Sequence, residues 1–198
     1  MKTSVQAFFA STLAAIVLST SAFATSTDSL SIQKVIVKGN AKVILIQKDQ
    51  ESVRIDGNSH DHTTVKTKGK SLVITSNEEQ PATIIVYVKK PFRVEASNTS
   101  TVETSGKFNV DFLQVVLKDQ AKANINAATK GLYTLVNDQS KLKLSGTSDE
   151  HISIRSKASK LQMDNLASNK TSSTYFETAG EKLASNTPAA SKVTLSRR

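Results

Sequence analysis

The pentapeptide Ala121-Lys122-Ala123-Asn124-Ile125 returns as Ser140-Lys141-Leu142-Lys143-Leu144 and again as Ser159-Lys160-Leu161-Gln162-Met163, each copy 19 residues after the last. The shared unit is small, Lys, apolar, polar, apolar. The two residues ahead of each copy repeat more loosely, as Asp119-Gln120, Asp138-Gln139 and Lys157-Ala158. A fixed period near 20 residues marks a chain that winds into stacked coils, because one such unit can bury its apolar side only against its neighbours. Alternation within each copy suits a strand, with Lys and the polar residue on one face and the two apolar residues on the other. The repeat therefore predicts an all-β fold, a parallel β-solenoid or β-helix-like stack with coils of about 19–20 residues.

The chain ahead of the repeat reads as strands as well. Val35 and Val37 alternate before the turn residues Gly39-Asn40, and Ala41-Lys42-Val43-Ile44-Leu45 already carries the repeat signature. Strands are also predicted at 52–56, 63–68, 71–75 and 83–89, the last with Ile84, Val86 and Val88 on one face, Ile85 and Tyr87 on the other, and both faces covered. Thr99 to Val102 forms a first, degenerate coil. Each coil carries a second apolar group, namely Leu113, Val115 and Leu117, then Leu132 and Leu135, then Ile152 and Ile154, with polar corners at 128–131 and 146–149.

Residues 1–24 stand apart. Lys2 precedes a mostly apolar run from Val5 to Val17, and Ser21-Ala22-Phe23-Ala24 offers a small-residue cleavage site, the pattern of a secretory leader. Gln6, Ser11 and Thr12 interrupt the run, which falls short of the ~20 apolar residues a span needs. The expected organisation is a cleavable leader at 1–24 and one domain at 25–185. Within that domain strands at 32–89 precede repeats at 92–183, and a tail or last strand occupies 186–198. Gly180 to Leu183 and Ser191 to Leu195 are candidates for further partial coils. The net charge of +9 becomes +8 without Lys2, with 25 basic against 17 acidic residues. The expectation is an exported basic protein, periplasmic, surface-bound or secreted, with no membrane span once the leader is removed. It has no cysteine, so its core alone must hold it together.

Taken together, the run Val35-x-Val37-x-Gly39-x-Ala41-x-Val43-x-Leu45, then Ser52-Val53-x-Ile55, Gly69-Lys70-Ser71-Leu72-x-Ile74 and Ile84-x-Val86-x-Val88 ahead of Pro91, resembles the putative auto-transporter adhesin head GIN domain family. The resemblance covers residues 30 to 185. It implies a single bacterial exported β-solenoid-like domain with an adhesive or surface role. The family's later repeats are rich in Gly, Ala and Ser, whereas Asp119-Gln120-Ala121 and Asp138-Gln139-Ser140 stand in their place here. The resemblance supplies no catalytic residues.

The chemistry with most content is a basic column. On stacked coils about 4.8 Å apart, Lys122, Lys141 and Lys160 become neighbours on one face, Lys42 extends the column, and Lys118, Lys143 and Lys157 lie beside it. Like charges at that spacing repel, and Asp119 and Asp138 supply part of the compensation. The functional reading is a face for a polyanion, such as an acidic polysaccharide, lipopolysaccharide or another envelope component. Nucleic acid is disfavoured, because no aromatic platform interleaves the lysines. The competing reading is a solvated face whose lysines deter edge pairing.

Other candidates are weaker. His60-Asp61-His62 lacks a visible fourth ligand and reads as an exposed loop, so neither metal nor cofactor is expected. Asp119 and Asp138 on adjacent coils would stand about 5 Å apart, the spacing of a retaining glycosidase pair. Beside Lys122 and Lys141 they read more simply as a charge ladder, and His151 reads as an exposed corner. A non-enzymatic binding module is thus favoured over a carbohydrate-active enzyme of β-helix type and over a structural envelope protein without ligand.

Overall fold

The computed structural model describes residues 31–56 and 61–176. The leader, His60, and the expectations for Gly180 to Leu183 and Ser191 to Leu195 lie outside the described residues. Those residues form thirteen strands and no helix: β1 (Lys34–Gly39), β2 (Ala41–Gln47), β3 (Ser52–Asp56), β4 (Thr63–Lys68), β5 (Ser71–Ser76), β6 (Ala82–Val88), β7 (Arg93–Ala96), β8 (Thr101–Ser105), β9 (Phe108–Asn109), β10 (Phe112–Leu117), β11 (Lys122–Val136), β12 (Lys141–Ser156) and β13 (Lys160–Phe176).

All thirteen belong to one mixed sheet that curls like a half-barrel. One arm runs β6, β2, β8, then the first halves of β11, β12 and β13, all parallel. The other runs β5, β1, β7, β10, then the second halves of the same long strands, again parallel. Antiparallel β3 on β6 and β4 on β5 make the sheet mixed and close its first edges. The all-β expectation is met at this level.

The alternation read from the sequence sets the inner faces. Val35, Val37, Val43, Ile84, Val86 and Val88 are completely buried. Ile85 and Tyr87 are only half-covered on the other side of β6. In register, Ala123 sits on Leu142 and Leu142 on Leu161, while Ile125 sits on Leu144. Both arms feed one apolar core, in which Ala123, Ile125, Leu142 and Leu144 join Leu113, Leu117, Leu132 and Val136. Burying one such Leu contributes about 1.5–3 kcal/mol.

The corners explain how strands of 15 to 17 residues can serve two arms. In β11 the buried positions run Ala123, Ile125, Ala127, Thr129 and then switch parity to Leu132, Thr134, Val136. The expected polar corner at 128–131 is this switch, made without leaving the strand. Thr129, Ser148 and Ser168 lie in register there, and the Thr129 hydroxyl donates to Ser148 Oγ at 3.0 Å. Ser148 and Ser168 donate in turn to the carbonyls of Glu150 and Lys170, two residues on. Gly146, at φ 105°, is required nearby, since a Cβ there would stand 2.0 Å from the Ala127 carbonyl oxygen on the adjacent strand.

One sequence expectation is reversed. Ile152 and Ile154 do not form an inner apolar group. His151 and Ser153 are the buried residues of that half of β12, whereas Ile152 is 41% exposed and Ile154 half-exposed. Register supplies the cause: His151 pairs with Leu132 and Ser153 with Thr134, both inward. Side chains alternate strictly along a strand, so the isoleucines must face out. The interior thus turns polar toward β13.

Candidate functional site

The lysine column is in register. Lys122 pairs with Lys141 and Lys141 with Lys160 on adjacent parallel strands. All three are exposed, because the neighbouring inward positions Ala123, Leu142 and Leu161 fix the parity of each strand. Lys143 lies two residues beyond Lys141 on the same outward face, between Asn124 and Gln162.

Lys42 does not extend this column directly: Thr101 stands between it and Lys122, and its Nζ is held by Glu103 at 3.2 Å. Lys118 and Lys157 occupy corners rather than the arm, and Lys157 has a partner of its own. Among the described residues, none of Lys122, Lys141 and Lys160 takes part in an ion pair. The rungs before them are compensated and these are not.

The corner preceding each lysine accounts for Asp119 and Asp138. Tight turns run from Ser97 to Ser100, Lys118 to Ala121 and Asn137 to Ser140, each closed by a backbone bond from its last amide to its first carbonyl. The second residue of each turn is left-handed: Asn98 at φ 61°, Asp119 at 60° and Asp138 at 54°, with Gly39 at 80° in the equivalent place before β2. Gly, Asn and Asp are the residue types that enter this region most readily.

The side chains then form a ladder. The backbone N–H of Gly39 donates to Asn98 Oδ1 at 3.2 Å, that of Asn98 to Asp119 Oδ2 at 2.8 Å, and that of Asp119 to Asp138 Oδ2 at 3.0 Å. The carboxylates expected to form a catalytic pair or to neutralise the lysines instead accept backbone donors and splice one coil corner to the next. The small residue that opens each repeat has its own role, because Ser100, Ser140 and Ser159 are buried and donate to the carbonyls of Ser97, Asn137 and Ser156.

His151 is not an exposed corner. It is completely buried, its Nε2 lies 3.0 Å from Thr134 Oγ1, and its Nδ1 and the nearby Ser153 Oγ have no partner. Burial holds its pKa below the ordinary histidine value, so the ring is neutral.

At the other end of the sheet, Asp61 and His62 lie in an exposed turn, where Glu78 Oε1 accepts from the His62 amide at 2.9 Å. Among the described residues no group of three His, Cys, Asp or Glu side chains could hold a metal ion. The open depression beside His62, lined by Asn77, Glu78, Glu79 and Gln80, is shallow and acidic.

An all-β curled sheet that offers extended faces rather than an enclosed pocket defines a surface-binding class of protein. Within that class, the chain belongs to the putative auto-transporter adhesin, head GIN domain family, whose profile matches residues 32–193. Solved structures agree on the fold. A putative adhesin from Bacteroides fragilis NCTC 9343 superposes with a TM-score of 0.63 at 14% identity, over 74% of this chain and 73% of that one. A putative adhesin from Parabacteroides distasonis ATCC 8503 gives 0.56 at 14% identity, over 73% and 74%. A putative lipid binding protein from the same organism gives 0.54 at 14% identity, over the same shares. No curated protein matches the chain. Among the described residues, no helix is long and apolar enough to cross a membrane.

Proposed function

We propose that this chain is an exported, non-enzymatic binding module that engages a polyanion, such as an acidic polysaccharide or lipopolysaccharide, through Lys122, Lys141, Lys160 and Lys143. The observation that carries the reading is the in-register exposure of the first three lysines without an acidic partner among the described residues. The adhesin names of the family and of two structural neighbours are compatible with a binding role, as is the lipid-binding name of a third.

On this reading the parallel arms close into a solenoid that begins with β1 and β2, residues 25–185 form one domain, and 1–24 is a cleaved leader. Corner offsets of 21 residues from Asn98 to Asp119 and 19 from Asp119 to Asp138 support that winding. Intact-mass measurement of protein from the native envelope is expected to give a chain beginning at Thr25. A mass that includes Met1 to Ala24 would refute the cleaved leader.

The binding test uses a sulfated glycan and lipopolysaccharide at low and high salt. Affinity for either is expected to fall steeply with salt, since exposed charges are screened over about 10 Å at 0.1 M. Replacing Lys122, Lys141 and Lys160 by Gln together removes three charges of about 0.5–1 kcal/mol each, a loss of roughly ten- to a hundredfold. Replacing the equally exposed Lys66, Lys68 and Lys70 leaves affinity nearly unchanged. No binding at low salt, or equal losses in the two triple variants, would favour the structural envelope role instead.

A further inference from the structure

The outward face of the second arm is the chemical opposite of the lysine face. Tyr133 and Ile152 pair across β11 and β12 there, and Leu135 pairs with Ile154 one step along. Phe112 lies at their edge, 60% exposed, with its ring so close over Gly131 that a Cβ on that glycine would meet it at 2.8 Å. The same half of β12 puts His151 and Ser153 inside, with polar atoms unpaired, and two isoleucines outside. Fold stability alone favours the reverse arrangement.

The charges around this face are already matched. Lys34 and Arg93 both hold Glu95, Lys130 holds Asp111 at 2.8 Å, and Lys170 holds Glu150 at 2.8 Å. Burial alone would raise the Glu95 pKa, but the hydrogen bonds from Lys34 and Arg93 outweigh it and keep the carboxylate ionised.

We propose that this apolar face, centred on Phe112, Tyr133, Leu135, Ile152 and Ile154, is where a second copy of the chain docks about a two-fold axis. Three features select that partner. A two-fold contact opposes the same patch to itself, which suits a rim carrying matched pairs of both signs. Copies with a net charge of +9 repel wherever unpaired lysines meet, and this face is nearly neutral while the lysine face points away from it. The size is adequate too. Seven strands about 4.8 Å apart and about 20 Å long offer a face near the ~800 Å² per partner of a stable interface. A membrane fits less well, because the cations that would meet lipid phosphates lie on the other arm. The dimer would also present two lysine faces outward, although its existence does not depend on what they bind.

The test is sedimentation equilibrium of the mature chain across a concentration series. The wild type and the lysine-face variant Lys141→Asp are expected to dimerise. Ile152→Asp should raise the dimer dissociation constant by at least about tenfold with an unchanged melting temperature, since its side chain is outside the fold. The chain has no cysteine, so single thiols report cleanly. Maleimide labelling of Ile152→Cys should slow as protein concentration rises, while Lys141→Cys should not change. A wild type that stays monomeric throughout, or equal labelling of the two thiols, overturns the proposal. Binding of monomeric wild type to phosphatidylcholine vesicles, lost in Ile152→Asp, would also overturn it and assign the face to lipid.

Discussion

Asp119 has two separable structural duties, so a short substitution series measures them and at the same time tests the catalytic alternative. Its backbone sits at φ 60°, and its carboxylate accepts the Asn98 amide at 2.8 Å. Ala at this position gives up the acceptor and pays the left-handed penalty. The backbone part is about 1 kcal/mol. The hydrogen bond is charge-assisted but exposed, which brings its contribution to about 1 kcal/mol as well. Asp119→Ala should therefore cost about 2 kcal/mol, a fall in Tm of roughly 4–8 °C for a domain of this size. Asp119→Gly keeps the backbone freedom and loses only the bond, about half that cost. Asp119→Asn keeps both and should cost under about 0.5 kcal/mol, because Asn98 already does the same work one corner earlier. Thermal unfolding followed by circular dichroism reads all three. A Tm for Asp119→Ala equal to wild type, or a Tm for Asp119→Asn as low as that for Asp119→Ala, would refute the corner ladder. Asp138→Asn decides the enzyme question beside it. Loss of glycan cleavage with binding and Tm intact would make Asp138 catalytic, whereas a corner residue leaves no such activity to lose.

Two further predictions concern the core. Leu142→Asp buries a charge without a partner where Leu142 is only 1% exposed, at a cost of about 3–5 kcal/mol. The variant should unfold or lose at least about 10 °C in Tm, and a soluble variant with the wild-type Tm would refute the packed column. His151 makes stability pH-dependent. Its folded pKa lies below the ordinary 6.5, so as pH falls through 6.5 the unfolded chain takes a proton that the folded chain refuses. Stability is full above that pH and falls below it, by at most about 1.4 kcal/mol per pH unit until the folded value is reached. The fall should flatten in His151→Leu, measured as Tm against pH, and equal slopes for the two proteins would remove His151 as the cause.

What the sequence revealed and what it hid have separate physical causes. The lysine column and the Ala123/Leu142/Leu161 column were legible because the offset between copies is constant at 19 residues, and register carries that constancy directly into contact. The corners were partly legible. Gly39-Asn40 announces a turn, but the equivalence of Gly39, Asn98, Asp119 and Asp138 shows only when all are recognised as residues suited to positive φ. Beside lysines, Asp119 and Asp138 invited a reading by charge. Ile152 and Ile154 misled because residue type was weighed above register. Leu132 plus 19 is His151, so the period that found the lysines also places His151 inside. The bulge in β13 was beyond reach, because it comes from one extra residue between Gln162 and Asn165 that leaves the local pattern intact.

The two halves of the lysine arm bear on whether its charge is incidental. Two exposed unit charges about 5 Å apart repel by about 0.8 kcal/mol in water, and salt reduces this further. Lys122, Lys141 and Lys160 contain two such contacts, a cost small enough for the buried Leu142 and Leu144 on the same strand to offset. The cost is nevertheless avoidable, as the chain itself demonstrates. Glu103 sits diagonally from Lys42 and pairs with it, and the positions in register with Glu103 on the following strands are Asn124, Lys143 and Gln162. One acid at any of them would relieve the repulsion, and at one the chain places another lysine. Lysines that serve only to deter edge pairing need no such arrangement in the middle of an arm, where both edges of β11 and β12 are already occupied. The uncompensated stretch therefore follows from a demand outside the fold, and an anionic partner is the demand that its charge fits.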